Sequence, residues 1–268
     1  MRVLVATDLS DAGLLSIEAL IGCNPALFDG VMLVHAIELD HYMAGGSIPE
    51  VIEWSEKRLA EEAAALAGAG FTTDFRVEQG MAVDVVPSVA ADIDADLIIV
   101  TDRGKGGAAG RILGSTAERI AQAGEFPVLV VRVEERDAAW CRLGEGPPFS
   151  HPLVAADLDE TLERIAKVAG RLPGVESARV LHVAAPGEDV AQAHAFIDAV
   201  IMRTPLRDAE VLVVEGKDTA EVIINESQAA GASLIVLAPR RHGLIGRLVF
   251  GSIALSLLRE SRVPLLFA

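Results

Sequence analysis

Short runs of apolar, often β-branched residues alternate along this chain with longer stretches whose apolar positions recur at helical spacing. In the first half the short runs fall at about 2–7, 30–37, 72–78, 96–101 and 127–133, each of strand length. Helical patterns separate them, among them an alanine- and glutamate-rich stretch from Glu53 to Ala67. The series then repeats, with apolar runs at about 152–156, 176–183, 209–214, 233–238 and 263–267. Strand alternating with helix implies right-handed crossovers and a parallel sheet covered by helices on both faces. The predicted class is α/β, written twice.

The two halves match residue by residue. The run ending at Asp8 pairs with the run ending at Asp157, and Met32-Leu-Val-His35 pairs with Val180-Leu-His182. Gly80 matches Gly216, and Phe126-Pro127 matches Val263-Pro264. The offset falls from 149 at Asp8/Asp157 to 136 at Gly80/Gly216, then stays near 137. Most of the deletion in the second copy therefore lies between its second and third strands. Two domains are expected, 1–134 and 151–268. The stretch 135–150 loses periodicity, carries Gly144, Gly146, Pro147 and Pro148, and reads as a linker.

Composition narrows the possibilities. A chain of 268 residues that is 51% apolar can build two cores. Its apolar runs are strand-sized, well short of the roughly 20 residues a membrane span needs. With no basic, signal-like start, a cytoplasmic protein is expected. Cys23 and Cys141 cannot build a disulfide framework or a metal site, and suit a reducing compartment. A net charge of −16 argues against nucleic acid as a partner, because phosphate backbones would be repelled. Any bound phosphate must be held by local donors working against the global field.

One segment supplies such donors. The run Leu97–Thr101 leads into a loop rich in glycine, and Gly114-Ser115-Thr116 then opens a helical pattern with Ala117, Ile120 and Ala121 on one face. Glycines admit a ligand close to the backbone, and a helix start offers unpaired N–H groups and a positive dipole end. The second copy keeps a weakened version, Ala238-Pro-Arg240-Arg241 followed after nine residues by Gly251-Ser252. A Walker loop is excluded, because Arg111-Ile112 follows Gly110 where Lys-Ser/Thr is required. The spacing Gly104-x-Gly106-x-x-Ala109 imitates a dinucleotide fingerprint, but it follows the fourth strand rather than the first. No nucleophile elbow, zinc-ligand cluster or His-Glu-x-x-His is present.

These motifs resemble the universal stress protein family in its tandem two-domain form, over nearly the whole chain. The ATP-binding members of that family carry an Asp after strand one and G-x2-G-x9-G-[S/T] after strand four. The first copy has Asp8 and Thr101-x2-Gly104-x9-Gly114-Ser115; the second has Asp157 and Ala238-x2-Arg241-x9-Gly251-Ser252. The spacing is intact in both, but Thr101 replaces one glycine in the first copy and both early glycines are gone from the second. The resemblance implies two Rossmann-like (adenine nucleotide alpha hydrolase-like) domains. Each would be a five-stranded parallel sheet of order 3-2-1-4-5 flanked by helices, with strands one and four adjacent at the ligand crevice.

By the same resemblance the ligand is ATP, or AMP or ADP, with or without Mg²⁺, and it sits in the first domain. Asp8, with Ala6 and Thr7, would serve the adenine side, and the backbone near Ala36 would contact the base. Gly104 would admit the phosphates, and Gly114, Ser115 and Thr116 would cap them. Arg103, Lys105 and Arg111 would add positive charge, and Thr101 would either block close approach or donate to a ribose. The implied function is a nucleotide-binding regulator of the stress response, not an enzyme. An interaction scaffold without nucleotide, with protein partners still to be identified, and a slow ATPase are the competing expectations. Pairing of the two fifth strands would make an intramolecular pseudo-dimer, with another face left for a homodimer.

Several of these residues have plainer readings. Asp8 precedes a helix start and suits a cap or loop acceptor. The glycine loop suits a turn without ligand. His35 and His182, at matching strand ends, suit hydrogen bonds to nearby backbone. The run Arg240-Arg241-His242 suits a solvated turn.

Overall fold

The apolar runs form the strands they predict. A computed structural model describes all residues except 39–46, 103–114, 138, 144–145 and 242–247. It divides into two units, Met1–Leu143 and Gly144–Ala268.

In unit one the strands are β1 (Arg2–Ala6), β2 (Gly30–Ile37), β3 (Thr73–Gln79), β4 (Leu97–Thr101) and β5 (Val128–Val131). They lie in the order β3-β2-β1-β4-β5, every pair parallel. The helices are α1 (Asp11–Glu18), α2 (Ile48–Gly68), α3 (Ala82–Asp92) and α4 (Ser115–Ala123). The central strands are buried on both faces, which is why they read as unbroken apolar runs rather than alternating ones. Val3, Leu4, Val5, Leu97, Ile99 and Leu129 are wholly buried. Each side chain of that size contributes roughly 1.5–3 kcal/mol by leaving water.

Where the sequence reading begins its linker, at residue 135, a hairpin of two short strands instead belongs to unit one. Its strands β6 (Val133–Arg136) and β7 (Ala139–Arg142) pair antiparallel, and the turn runs through Asp137 at φ +50°. Each strand is only four residues long, too short for alternation to show. Leu143 N–H then donates to Arg132 O at 2.7 Å, closing the hairpin's base.

Unit two repeats the plan with β8 (Pro152–Ala155), α5 (Thr161–Ala169), β9 (Arg179–Ala184), α6 (Val190–Ile201), β10 (Glu210–Glu215), α7 (Thr219–Ala229) and β11 (Leu234–Leu237). It continues with the two-residue strands β12 (Arg240–Arg241) and β13 (Leu248–Val249), then α8 (Ser252–Glu260) and β14 (Leu265–Phe267). The order β10-β9-β8-β11-β14 is again third-second-first-fourth-fifth and again parallel. No helix among the described residues is long and apolar enough to cross a membrane.

Candidate functional site

In a sheet of this order the winding reverses between the first and fourth strands, which opens a crevice beyond their C-terminal ends. In unit one Val5 lies opposite Ile99 in the β1–β4 ladder. The chain therefore leaves the two strands side by side, through Ala6-Thr7-Asp8 and Thr101-Asp102. Ala6 pairs with Val34 of β2, and half-buried Ala36 lies two residues further along that strand. The sequence places all of these at one end of the sheet.

Hydrogen bonds organise the tip of β1. Thr7 N–H donates to Val34 O at 3.0 Å, and His35 Nδ1 lies 2.8 Å from Thr7 O. A carbonyl only accepts, so that ring nitrogen carries a proton. His35 is thus the strand-end residue its position suggests. Thr7 Oγ1 accepts from Leu9 N–H at 3.1 Å, and Leu9 sits in the left-handed region at φ +59°. Asp8 is half-buried, and its Oδ1 accepts from Ser10 N–H at 3.1 Å and from the Ser10 hydroxyl at 2.5 Å. Ser10 Oγ in turn accepts from Gly13 N–H at 3.0 Å and caps α1. The cap is Ser10, and Asp8 is held by it.

The tip of β4 is anchored by charge. Asp102 is 2% exposed, and its Oδ2 lies 3.1 Å from Nη1 of buried Arg132. Its Oδ1 accepts from Val133 N–H at 3.0 Å, and its own N–H donates to Val131 O at 3.0 Å. This node fixes the residue from which the glycine-rich loop departs. Thr101 is half-buried and pairs with Val131. Beyond the loop, Ser115 opens α4 and Thr116 is half-buried in its first turn. Arg103, Lys105, Gly104, Arg111 and Gly114 lie outside the described residues.

Sequence reasoning passed over Ser10, Gly13 and Asp102. Ser10 carried a signal, being a serine directly before a helical run. Asp102 carried none, because its partner is thirty positions away and meets it only through the β4–β5 neighbourhood. Among the described residues no group of three or more His, Cys, Asp or Glu could hold a metal ion. Burial pushes the Cys23 thiol up to about 11, against the pull of Arg142, so it stays a protonated, unreactive thiol at neutral pH.

Unit two keeps the crevice and changes its fittings. A cavity of about 150 Å³ is lined by Asp157, Thr161, His182, Thr219, Ala238 and Ser252 among others. His182 Nδ1 lies 2.9 Å from Ala156 O, repeating the His35 arrangement, and its Nε2 lies 2.8 Å from Glu188 Oε1. The Ala185 N–H and then His182 hold the Glu188 carboxyl below its usual range. Asp157, by contrast with Asp8, is exposed. Pro239 occupies the place of Asp102 and lacks an N–H. Arg240 and Arg241, expected in a solvated turn, pair antiparallel with Val249 and Leu248. Phe250 beyond them is buried, its ring 4.5 Å from that of Phe267.

The profile of the Universal stress protein family matches residues 1–132 and 149–268. No curated protein matches the chain. Among solved structures, a universal stress protein from Archaeoglobus fulgidus DSM 4304 is similar over 100% of this chain and 97% of its own, with 21% identity and a TM-score of 0.75. A functionally unknown protein from Pseudomonas aeruginosa PAO1 is similar over 99% of this chain and 91% of its own, with 15% identity and a TM-score of 0.65. A universal stress protein from Archaeoglobus fulgidus, solved in complex with dAMP, covers 42% of this chain and 93% of its own, with 24% identity and a TM-score of 0.33.

Proposed function

Because the chain belongs to the universal stress protein family, with two such domains in tandem, we propose that unit one holds one adenine nucleotide and that occupancy, not turnover, is its task. One observation carries this reading. A half-buried carboxylate, Asp8, is fixed at the tip of β1 beside the tip of β4, whose loop keeps the glycine spacing and leads into the start of α4. Asp8 accepts from the adenine amino group, and the backbone of Ala6, Thr7 and Ala36 frames the base. The Thr101 hydroxyl donates to the ribose. Arg103 and Gly104, with Gly114, Ser115 and Thr116, receive the phosphates at the positive end of α4. ATP, ADP and AMP all present this chemistry, and Mg²⁺ would travel with the phosphates.

The same reading makes the protein a cytoplasmic regulator of the stress response whose second crevice is degenerate. Pro239 and Arg241 replace a donor and a close-approach position there. On this reading the protein binds without turnover, and its sequence carries no nucleophile elbow, Walker loop or zinc-ligand cluster. Taken alone, each unit ends on its fifth strand, and an uncovered strand edge invites association. We propose that these two edges pair within the chain. A fragment ending at Leu143 then self-associates, whereas a monomeric fragment would contradict the pairing.

The nucleotide is tested by heating the purified full chain and resolving the supernatant by ion exchange. Adenine nucleotide is expected. Its absence, together with no binding of added ATP or AMP, would favour an interaction scaffold instead. Multiple-turnover release of phosphate would contradict the non-enzymatic part.

A further inference from the structure

Gly13 lies directly behind the Asp8 carboxylate at the tip of β1. We propose that Gly13 is a positioning residue for Asp8, and that the room it leaves behind the carboxylate is a feature of unit one and not of unit two. The proposal rests on the nucleotide reading above. A Cβ built on Gly13 would lie 2.2 Å from Asp8 Oδ1, 3.0 Å from Thr7 Oγ1 and 3.2 Å from Ser10 Oγ. The first distance is a hard overlap, so Asp8 occupies space that only glycine leaves open.

The helix does not ask for glycine. Gly13 lies inside α1 and is buried, where alanine would stabilise the helix. What the glycine leaves is room, and the neighbouring backbone is shaped to use it. Leu9, a branched residue, adopts the left-handed region, a conformation such residues take at a cost. Its N–H meets Thr7 Oγ1, its side chain is only 6% exposed, and Asp8 is folded back onto Ser10. An observed outlier beside a held carboxylate is a reason to look for a site.

Unit two supplies the comparison. At the offset of 149 set by Asp8 and Asp157, Leu162 stands where Gly13 does, and it is wholly buried. Leu158, the counterpart of Leu9, does not have positive φ and is 36% exposed. Asp157 itself is exposed. The carboxylate survives in both copies, and the room behind it survives in one.

The test is a double-mutant cycle on the full chain, with ATP affinity read by calorimetry and stability by thermal melting. Gly13→Ala folds with an unchanged or higher Tm, because the clashing atom is the end of a side chain that can swing away. Its ATP affinity falls by about tenfold, the loss of one charge-assisted hydrogen bond. In an Asp8→Ala background the same substitution changes affinity by less than about twofold, since nothing remains to be positioned. A merely structural role would move both backgrounds equally, and that result, or an unchanged affinity in Gly13→Ala alone, overturns the proposal. If the wild-type chain binds no ATP, the nucleotide reading fails, and a crystal structure of Gly13→Ala decides the positioning by itself. Asp8 Oδ1 must leave Ser10 N–H; a bond retained near 3.1 Å contradicts the proposal.

Discussion

The tips of β1 and β8 are the same piece of architecture with different burial and different neighbours. Both strands end beside the fourth strand of their sheet, both meet a histidine from the second strand, and both are followed by an aspartate. In unit one the aspartate is drawn in and locked by Ser10 over a glycine; in unit two it stands exposed in front of a buried leucine. The fourth strands differ in the same manner. β4 runs out into a buried ion pair, whereas β11 runs into a proline, a two-residue ladder and an aromatic pair. The sheet is specified by many interchangeable apolar residues and tolerates divergence. A site is specified by a few residues of fixed size and charge, so one copy can lose it while the fold stays.

Removing one partner of the ion pair should separate the units most sharply. Arg132→Met leaves the Asp102 carboxylate buried without its cation, which typically costs about 3–5 kcal/mol. Unit one should therefore unfold first in a denaturant titration of the full chain, while unit two keeps its own midpoint. A loss below about 1 kcal/mol, the scale of an exposed pair, would show that the node is not dry.

The glycine loop is the next lever. Gly114→Val should weaken ATP by about ten- to a hundredfold, the worth of one or two hydrogen bonds to a charged group, and adenosine far less. Equal losses for both ligands would mean that the loop holds the fold and not the phosphates. Replacing Gly251, its counterpart, should change neither.

The smallest effect concerns the fittings of unit two. The folded Glu188 carboxyl is held below its unfolded value, so its stabilisation is present above the ordinary glutamate range and is lost as pH falls through the depressed value. Melting curves taken down through the carboxylate range should show unit two of Glu188→Gln starting less stable and losing less on acidification. Parallel curves for the two proteins would remove Glu188 from the account.

Much of this was legible in the chain. Periodicity located each of the ten parallel strands to within about three residues, because buried parallel strands announce themselves as unbroken apolar runs. It missed the short antiparallel strands β6, β7, β12 and β13. The largest boundary error, at β9, has a local cause: the N–H groups of Glu176 and Ser177 donate to Ser150 O and not to a neighbouring strand. α2 begins at Ile48, ahead of the Glu53 read from composition, because Ser47 caps it and Pro49 sits in its first turn. The motif put Asp8 and Thr101 at the ends of the first and fourth strands and Thr116 at a helix start, and those positions are where the structure has them. Gly13 and Asp102 were not, because their roles depend on side chains meeting in space. An overlap at 2.2 Å has no sequence signature.

The central claim is that the duplication has left one organised site per chain. Calorimetric titration of nucleotide-free full-length protein with ATP measures this directly. The account predicts a stoichiometry of one, with an affinity weakened by at least about tenfold, though still measurable, in Asp8→Ala and untouched in Asp157→Ala. Two equal sites, or a single site lost through Asp157→Ala, would contradict it.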